Sequence, residues 1–189
     1  MKLNTFTYYF LVLSVLSVLS VVQTASSVKT FNANGLSFDY PEGWTVYDDS
    51  NPDAQQLTLA RPKNDVQIRV FAHKGHLTPE KFPDAKKAFI DPYVASTVKQ
   101  FVAMGAKPEQ SADTSDIAGV KAEGVKVTAN LGEPGAAKIY WALVGQRVVI
   151  LTIFGPDREI KEFTPAWDVV RSSLKIEEKS ATPKPTPKP

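Results

Sequence analysis

Residues 148–154 read Val-Val-Ile-Leu-Thr-Ile-Phe, and this run decides the fold. A strand with one wet face alternates apolar and polar residues, whereas this one is apolar on both faces and has to be covered above and below. Such a strand sits centrally in its sheet, with helices on both sides or a helix on one side and a loop layer on the other. Residues 139–144 form a second apolar run. Gly145-Gln146 between the two predicts a hairpin with a Gly-led turn. Further upstream Val125, Val127, Ala129 and Leu131 alternate with Lys126, Thr128 and Asn130, and Glu133-Pro134-Gly135 turns the chain. Downstream, Thr164 as cap and Pro165 at the first position open a helix whose stripe is Phe163, Trp167, Val170 and Leu174. Its role is to cover the sheet.

The front half repeats the pattern. Asn34-Gly35 between apolar flanks predicts a hairpin, followed by Leu36, Phe38 and Tyr40 in alternation. Pro41-Glu42-Gly43 turns into a strand carrying Trp44 and Val46. Leu57 and Leu59 mark a third strand, and Val66, Ile68, Val70 and Ala72 a fourth, joined by the polar connection 61–65. Asp91-Pro92 reads as cap and first position of a helix with Val94, Val98, Phe101 and Val102 on its apolar side and Gly105 as its stop. Residues 79–90 are helix-like but interrupted by Pro83, which predicts a kinked or broken pair.

Composition narrows the chemistry. The 189 residues are 43% hydrophobic and 22% charged, values of a packed domain, and they include no cysteine. Disulfides, thiol nucleophiles, cysteine zinc sites and cysteine lipidation are thereby excluded. Net charge is +2, but Lys2 and the segment from Glu177 onward carry four of the 22 basic residues and two of the 20 acidic ones. The body between them is neutral, which offers no long-range field to nucleic acid or anionic lipid.

The two ends differ from the body. Residues 8–22 are an uncharged apolar run after Lys2, followed by small residues at 24–27, the pattern of a secretory signal over 1–26. Its rival is a retained membrane anchor, which would make the protein a tethered structural one. The expected domain covers 29–176. Residues 177–189 form a tail ending in Thr-Pro-Lys-Pro-Thr-Pro-Lys-Pro, whose prolines favour an extended spacer of roughly 25 Å over its last eight residues.

Few residues suggest a reaction. His73 and His76 could share a metal ion, but zinc needs three or four ligands and Lys74 lies between them. Asp48, Asp49, Asn51 and Asp53 offer oxygens to calcium, yet the EF-hand spacing is missing and such clusters are ordinary turn material. A nucleophile elbow, a P-loop and a dinucleotide fingerprint are all absent from the sequence. Trp44, Trp141 and Trp167 fall in patterned elements and read as core, whereas Tyr47 and Tyr140 read as candidates for surface contacts.

The Tyr40-Pro41-Glu42-Gly43-Trp44 turn after a hairpin, and the closing hairpin and helix ending in Ser172-Ser173-Leu174-Lys175-Ile176, resemble the PsbP-like family over roughly residues 31–176. The resemblance implies an α+β fold, an antiparallel β-sheet flanked by helices in an α/β/α sandwich. It also implies an exported, non-catalytic domain without a cofactor that docks on a protein or envelope component in the periplasm or outside the cell. Family members include accessory subunits on the lumenal face of photosystem II and bacterial envelope proteins. Membrane contact is expected only through the N-terminal segment if it is uncleaved, and the competing reading is a metal-binding protein or metal-dependent enzyme at His73 and His76.

Overall fold

A computed structural model describes residues 27–177. The apolar N-terminal run and the proline-lysine tail lie outside the described residues. The chain begins with β1 (Val28–Ala33), β2 (Leu36–Pro41), β3 (Thr45–Asp48), β4 (Ala54–Ala60) and β5 (Gln67–His73). A helical segment follows, with α1 (Phe82–Ala85) and α2 (Asp91–Ala103) joined by a π-helical turn, Lys86–Ile90. Then come β6 (Glu109–Ile117), β7 (Val120–Asn130), β8 (Pro134–Val144), β9 (Arg147–Pro156), α3 (Asp157–Glu162), α4 (Thr164–Ser173) and β10 (Lys175–Ile176). Among the described residues no helix is long and apolar enough to cross a membrane.

Seven strands form an antiparallel sheet in the order β3-β4-β5-β9-β8-β7-β6, and a small second sheet runs β1-β2-β10. The apolar run 148–154 thus lies in the central strand. Val149, Leu151 and Ile153 enter one core and Val148 and Ile150 the other, all at most 1% exposed. On the first face, Leu36 and Phe38 of β2, Trp167 and Val170 of α4 and Leu174 just beyond it pack on Leu59, Ile68 and Leu151. On the second, Phe101 of α2 packs with Val127, Ile139 and Ile150, its ring 5.3 Å from that of Phe154. Full burial of one such side chain contributes about 1.5–3 kcal/mol. The fold is α+β, with an antiparallel sheet flanked by helices. The small sheet shares the first face with α4, so that face is covered by strands as well as a helix.

Both expected hairpins form on the same turn chemistry. Asn34 and Gly35 have φ of 51° and 72°, and Gly145 and Gln146 have 49° and 62°, the left-handed pair that matches strand twist. Helix α2 stops at Gly105, φ 89°: Gly105 N–H bonds Val102 O at 2.9 Å and Ala106 N–H bonds Phe101 O at 3.0 Å. This is a Schellman closure, with Ala106 and Phe101 buried together beneath it.

Four local expectations fail for physical reasons. Asp91 is not a cap, because the chain is already helical there; its N–H reaches back to Lys86 O, and its carboxylate pairs with Lys86. The π turn lets the chain pass Pro92, which has no N–H for the preceding turn. Val102 is 56% exposed, since it turns away from the stripe that carries Phe101. Thr164 is the first residue of α4 rather than its cap, and its hydroxyl donates to Ile160 O because α3 runs directly into the helix. Tyr140 is only 6% exposed, its ring lying against Trp167 of α4.

Candidate functional site

Strand β6 closes one end of the large sheet, and from Glu109 to Thr114 its outer side has no partner strand among the described residues. Every residue of 109–112 is exposed. Such an edge presents unpaired N–H and C=O groups to any chain that can lie along it. Its far end is held. Ile117 is fully buried, Ala118 N–H donates to Arg171 O at 3.0 Å, and Arg171 donates to both the backbone and the carboxylate of Asp116. Burial alone would depress the Arg171 guanidinium, but its bonds to Asp168 and Asp116 outweigh that and raise it above the ordinary value.

At the near end of β6, the last turn of α2 and the β7–β8 connection bring apolar side chains to the surface. Met104 is 49% and Leu131 43% exposed, and they rim a cleft of about 400 Å³ floored by Phe101, Ala129, Pro134 and Phe154. Scattered exposed apolar residues mean little, but two that rim one cleft form a patch. Glu133 and Arg158 pair across the neighbouring rim at 2.9 Å.

On the first face beside β6, Asp113, Gly124 and Tyr140 are opposite one another on three adjacent strands. The Tyr140 ring crosses Gly124, where a Cβ would come within 2.4 Å of it, and its hydroxyl donates to Asp113 Oδ2 at 2.7 Å. Burial first, then the hydrogen bond to Asp113 and its charge, raise the phenol well above its ordinary range. Tyr140 therefore keeps its proton and acts as a fixed donor. Lys138, Ser115 and Asp168 complete a small polar cleft of about 160 Å³ beside it.

The residues singled out from the sequence gather at the opposite side of the sheet. His73 ends β5, its ring 4.5 Å from that of Phe89, and its Nδ1 accepts from Gly75 N–H at 3.1 Å. His76 is exposed. This loop meets the Asp/Asn loop: Lys74 N–H donates to Asp53 O at 2.8 Å and its ammonium to Asn51 O at 2.5 Å. The oxygens there serve turns, since Asn51 Oδ1 accepts from Asp53 and Ala54 N–H, and Asp48 Oδ1 from Ser50 N–H. Hydrogen bonds from Ser50 lower the Asp48 carboxyl below its usual range. Among the described residues no three His, Asp or Glu side chains are grouped to hold a metal ion. Trp44, Trp141 and Trp167 are buried, and Tyr47 is 55% exposed on β3.

A buried cation escaped sequence reading. Arg147, 4% exposed, donates to His73 O at 2.7 Å, Ala72 O at 3.1 Å, Gln55 Oε1 at 2.6 Å and Asn34 O at 3.4 Å, while Gln55 donates to Ala33 O. Burial lowers its pKa, and its partners are neutral oxygens. One guanidinium fork thus ties the first hairpin turn, β4, the end of β5 and the start of β9. Glu159 does similar work on α3, accepting from Asp65 and Val66 N–H at 2.8 and 2.9 Å.

An antiparallel sheet covered by helices on opposite faces, with a small sheet beside the C-terminal helix, has counterparts among solved structures. The solution structure of cyanobacterial PsbP (CyanoP) from Synechocystis sp. PCC 6803 matches with a TM-score of 0.52 at 16% identity, over 80% of this chain and 94% of that one. A crystal structure from Bacteroides thetaiotaomicron VPI-5482 matches with a TM-score of 0.53 at 16% identity, over 80% of this chain but 49% of that one. This chain therefore spans about half of the Bacteroides protein. At such identity the likeness is one of fold, and the fold is PsbP-like. No family model and no curated protein sequence matches the chain.

Proposed function

We propose that this domain is an exported, non-catalytic accessory module that docks on a protein or envelope component through the β6 edge and the Met104–Leu131 corner. The observation that carries the reading is the contrast between two sheet faces, covered by helices and the small sheet, and a long open edge, with exposed Met104 and Leu131 on the connections near its start. The PsbP-like fold and the export-type N-terminal sequence support it. The polar side chains of the interior add to it. Gln55, Thr97, Arg147, Thr152 and Glu159 are each bonded to backbone or to a neighbouring side chain in roles that hold the fold.

A photoreactive residue placed at Ala112 on β6, compared with one at Tyr47 on the opposite edge strand, tests the reading in the native host. The expected result is a discrete adduct from position 112 and none from position 47. Glu at both 104 and 131 should cut the yield at least about fivefold while leaving the melting temperature unchanged, as a rim or hot-spot change does. Equal labelling from both positions, or none, contradicts the reading.

A further inference from the structure

Strand β6 bonds to β7 through alternate residues. The turn between them, Ala118-Gly119, has φ of 54° and 76° and sets Ile117 opposite Val120. In such a hairpin the odd-numbered residues of β6 aim their N–H and C=O groups at β7, and the even-numbered ones aim theirs outward. The side contacts agree. Thr114 N–H turns back to the Asp113 carboxylate, while Asp116 O and Ala118 N–H are taken by Arg171. At the other end Pro108 has no N–H to offer. Among the described residues the free backbone of this edge is therefore that of Gln110, Ala112 and Thr114, a set symmetric about Ala112.

We propose that, while no other partner occupies it, the β6 edge pairs with the β6 edge of a second copy, antiparallel, across a two-fold axis through Ala112. The proposal rests on the docking reading and deepens it, because it names what covers the same edge in the chain alone. The two Ala112 residues exchange both backbone bonds, and Gln110 of each copy does the same with Thr114 of the other. Every outward group from Gln110 to Thr114 is then used. The side chains fit this register: Ser111 faces Asp113 and Glu109 faces Ser115 on the first face, with Ala112 against Ala112 on the second. Neighbouring registers fail. An axis at Ser111 sets Glu109 against Asp113 and Thr114 against Pro108. An axis at Asp113 sets that carboxylate against its copy, and Gln110 against Asp116, whose carbonyl already serves Arg171. A slip that pairs odd with even residues would reverse the faces. Residues 109–115 of each copy make a small contact, so the dimer should form at roughly 10–100 µM and dissociate below. It caps an aggregation-prone edge in concentrated protein and yields it to a tighter partner.

The chain has no cysteine, so one introduced thiol reports the register. Ala112→Cys places two thiols on the axis with Cα atoms about 5.5 Å apart, within disulfide reach, whereas Gln110→Cys leaves them about 14 Å apart. Both positions are exposed, so neither change disturbs the core. In the full chain under mild oxidation, A112C should crosslink at least about tenfold faster than Q110C. Sedimentation velocity of the parent should pass from monomer to dimer between about 1 and 300 µM. Ala112→Lys, which sets two ammonium groups face to face, should weaken that dimer at least about tenfold. A parent that stays monomeric, a dimer insensitive to A112K, or equal crosslinking from 110 and 112 overturns self-pairing. Docking on a different molecule is decided separately, by whether the position-112 adduct in the native host has a mass other than that of two copies.

Discussion

Tyr140 reaches across Gly124 to Asp113, so a hydroxyl on the third strand from the edge is bonded to a carboxylate on the edge itself at 2.7 Å. The open strand of the candidate docking surface is therefore pinned from inside the sheet as well as from α4. Rigid placement is what an edge needs if it is to receive a partner without first being ordered.

Tyr140→Phe should cost about 2 kcal/mol, the range of a hydrogen bond to a charged group. The pH dependence has a definite sign. The folded phenol ionises above its unfolded value, so its contribution is complete below about pH 10 and is lost as pH rises toward the folded pKa. Urea midpoints measured at pH 7 and above pH 10 should show a steeper alkaline decline in the parent chain than in Y140F.

Gly124→Ala places a Cβ 2.4 Å from the Tyr140 ring and 2.7 Å from Ile139 O. The expected loss is about 1–3 kcal/mol, the cost of overpacking. In combination with Tyr140→Ala the two losses should fall short of their sum, because the ring half of the clash has gone. Denaturation of the four chains of this cycle measures the coupling; strict additivity would show that the ring does not lie over Gly124.

Arg147→Lys should be nearly as damaging as Arg147→Ala, about 3 kcal/mol each, because one ammonium cannot span acceptors on several separate segments. Amide exchange should accelerate at 33–35 and 72–77 in both variants. A neutral Arg147→Lys chain would remove the fork as the tie.

The core of this fold was legible because its strands carry their burial in their letters. The two-faced run 148–154 announced the central strand, and Asn34-Gly35 and Gly145-Gln146 announced the turns. Strand β6 was not legible: Glu109-Gln110-Ser111-Ala112 buries nothing, and a strand held by backbone pairing alone leaves no periodic trace. Helix α3 is short and sends Glu159 inward, where a polar pattern suggests a loop. Strand parity opposite to Trp141 points Tyr140 to the surface, and the helix that covers it comes from far along the chain. Arg147 directly follows the Gly145-Gln146 turn, and no local pattern marks it for burial. Only folding brings Asn34, Gln55 and His73 within its reach.

Amide exchange of the chain alone and in its crosslinked native complex tests the docking reading most directly. Protection should concentrate at residues 109–115 and around 104 and 131, with the loop 73–77 unchanged. Protection confined to that loop or to the Tyr140 cleft, with β6 exchanging as before, would contradict it.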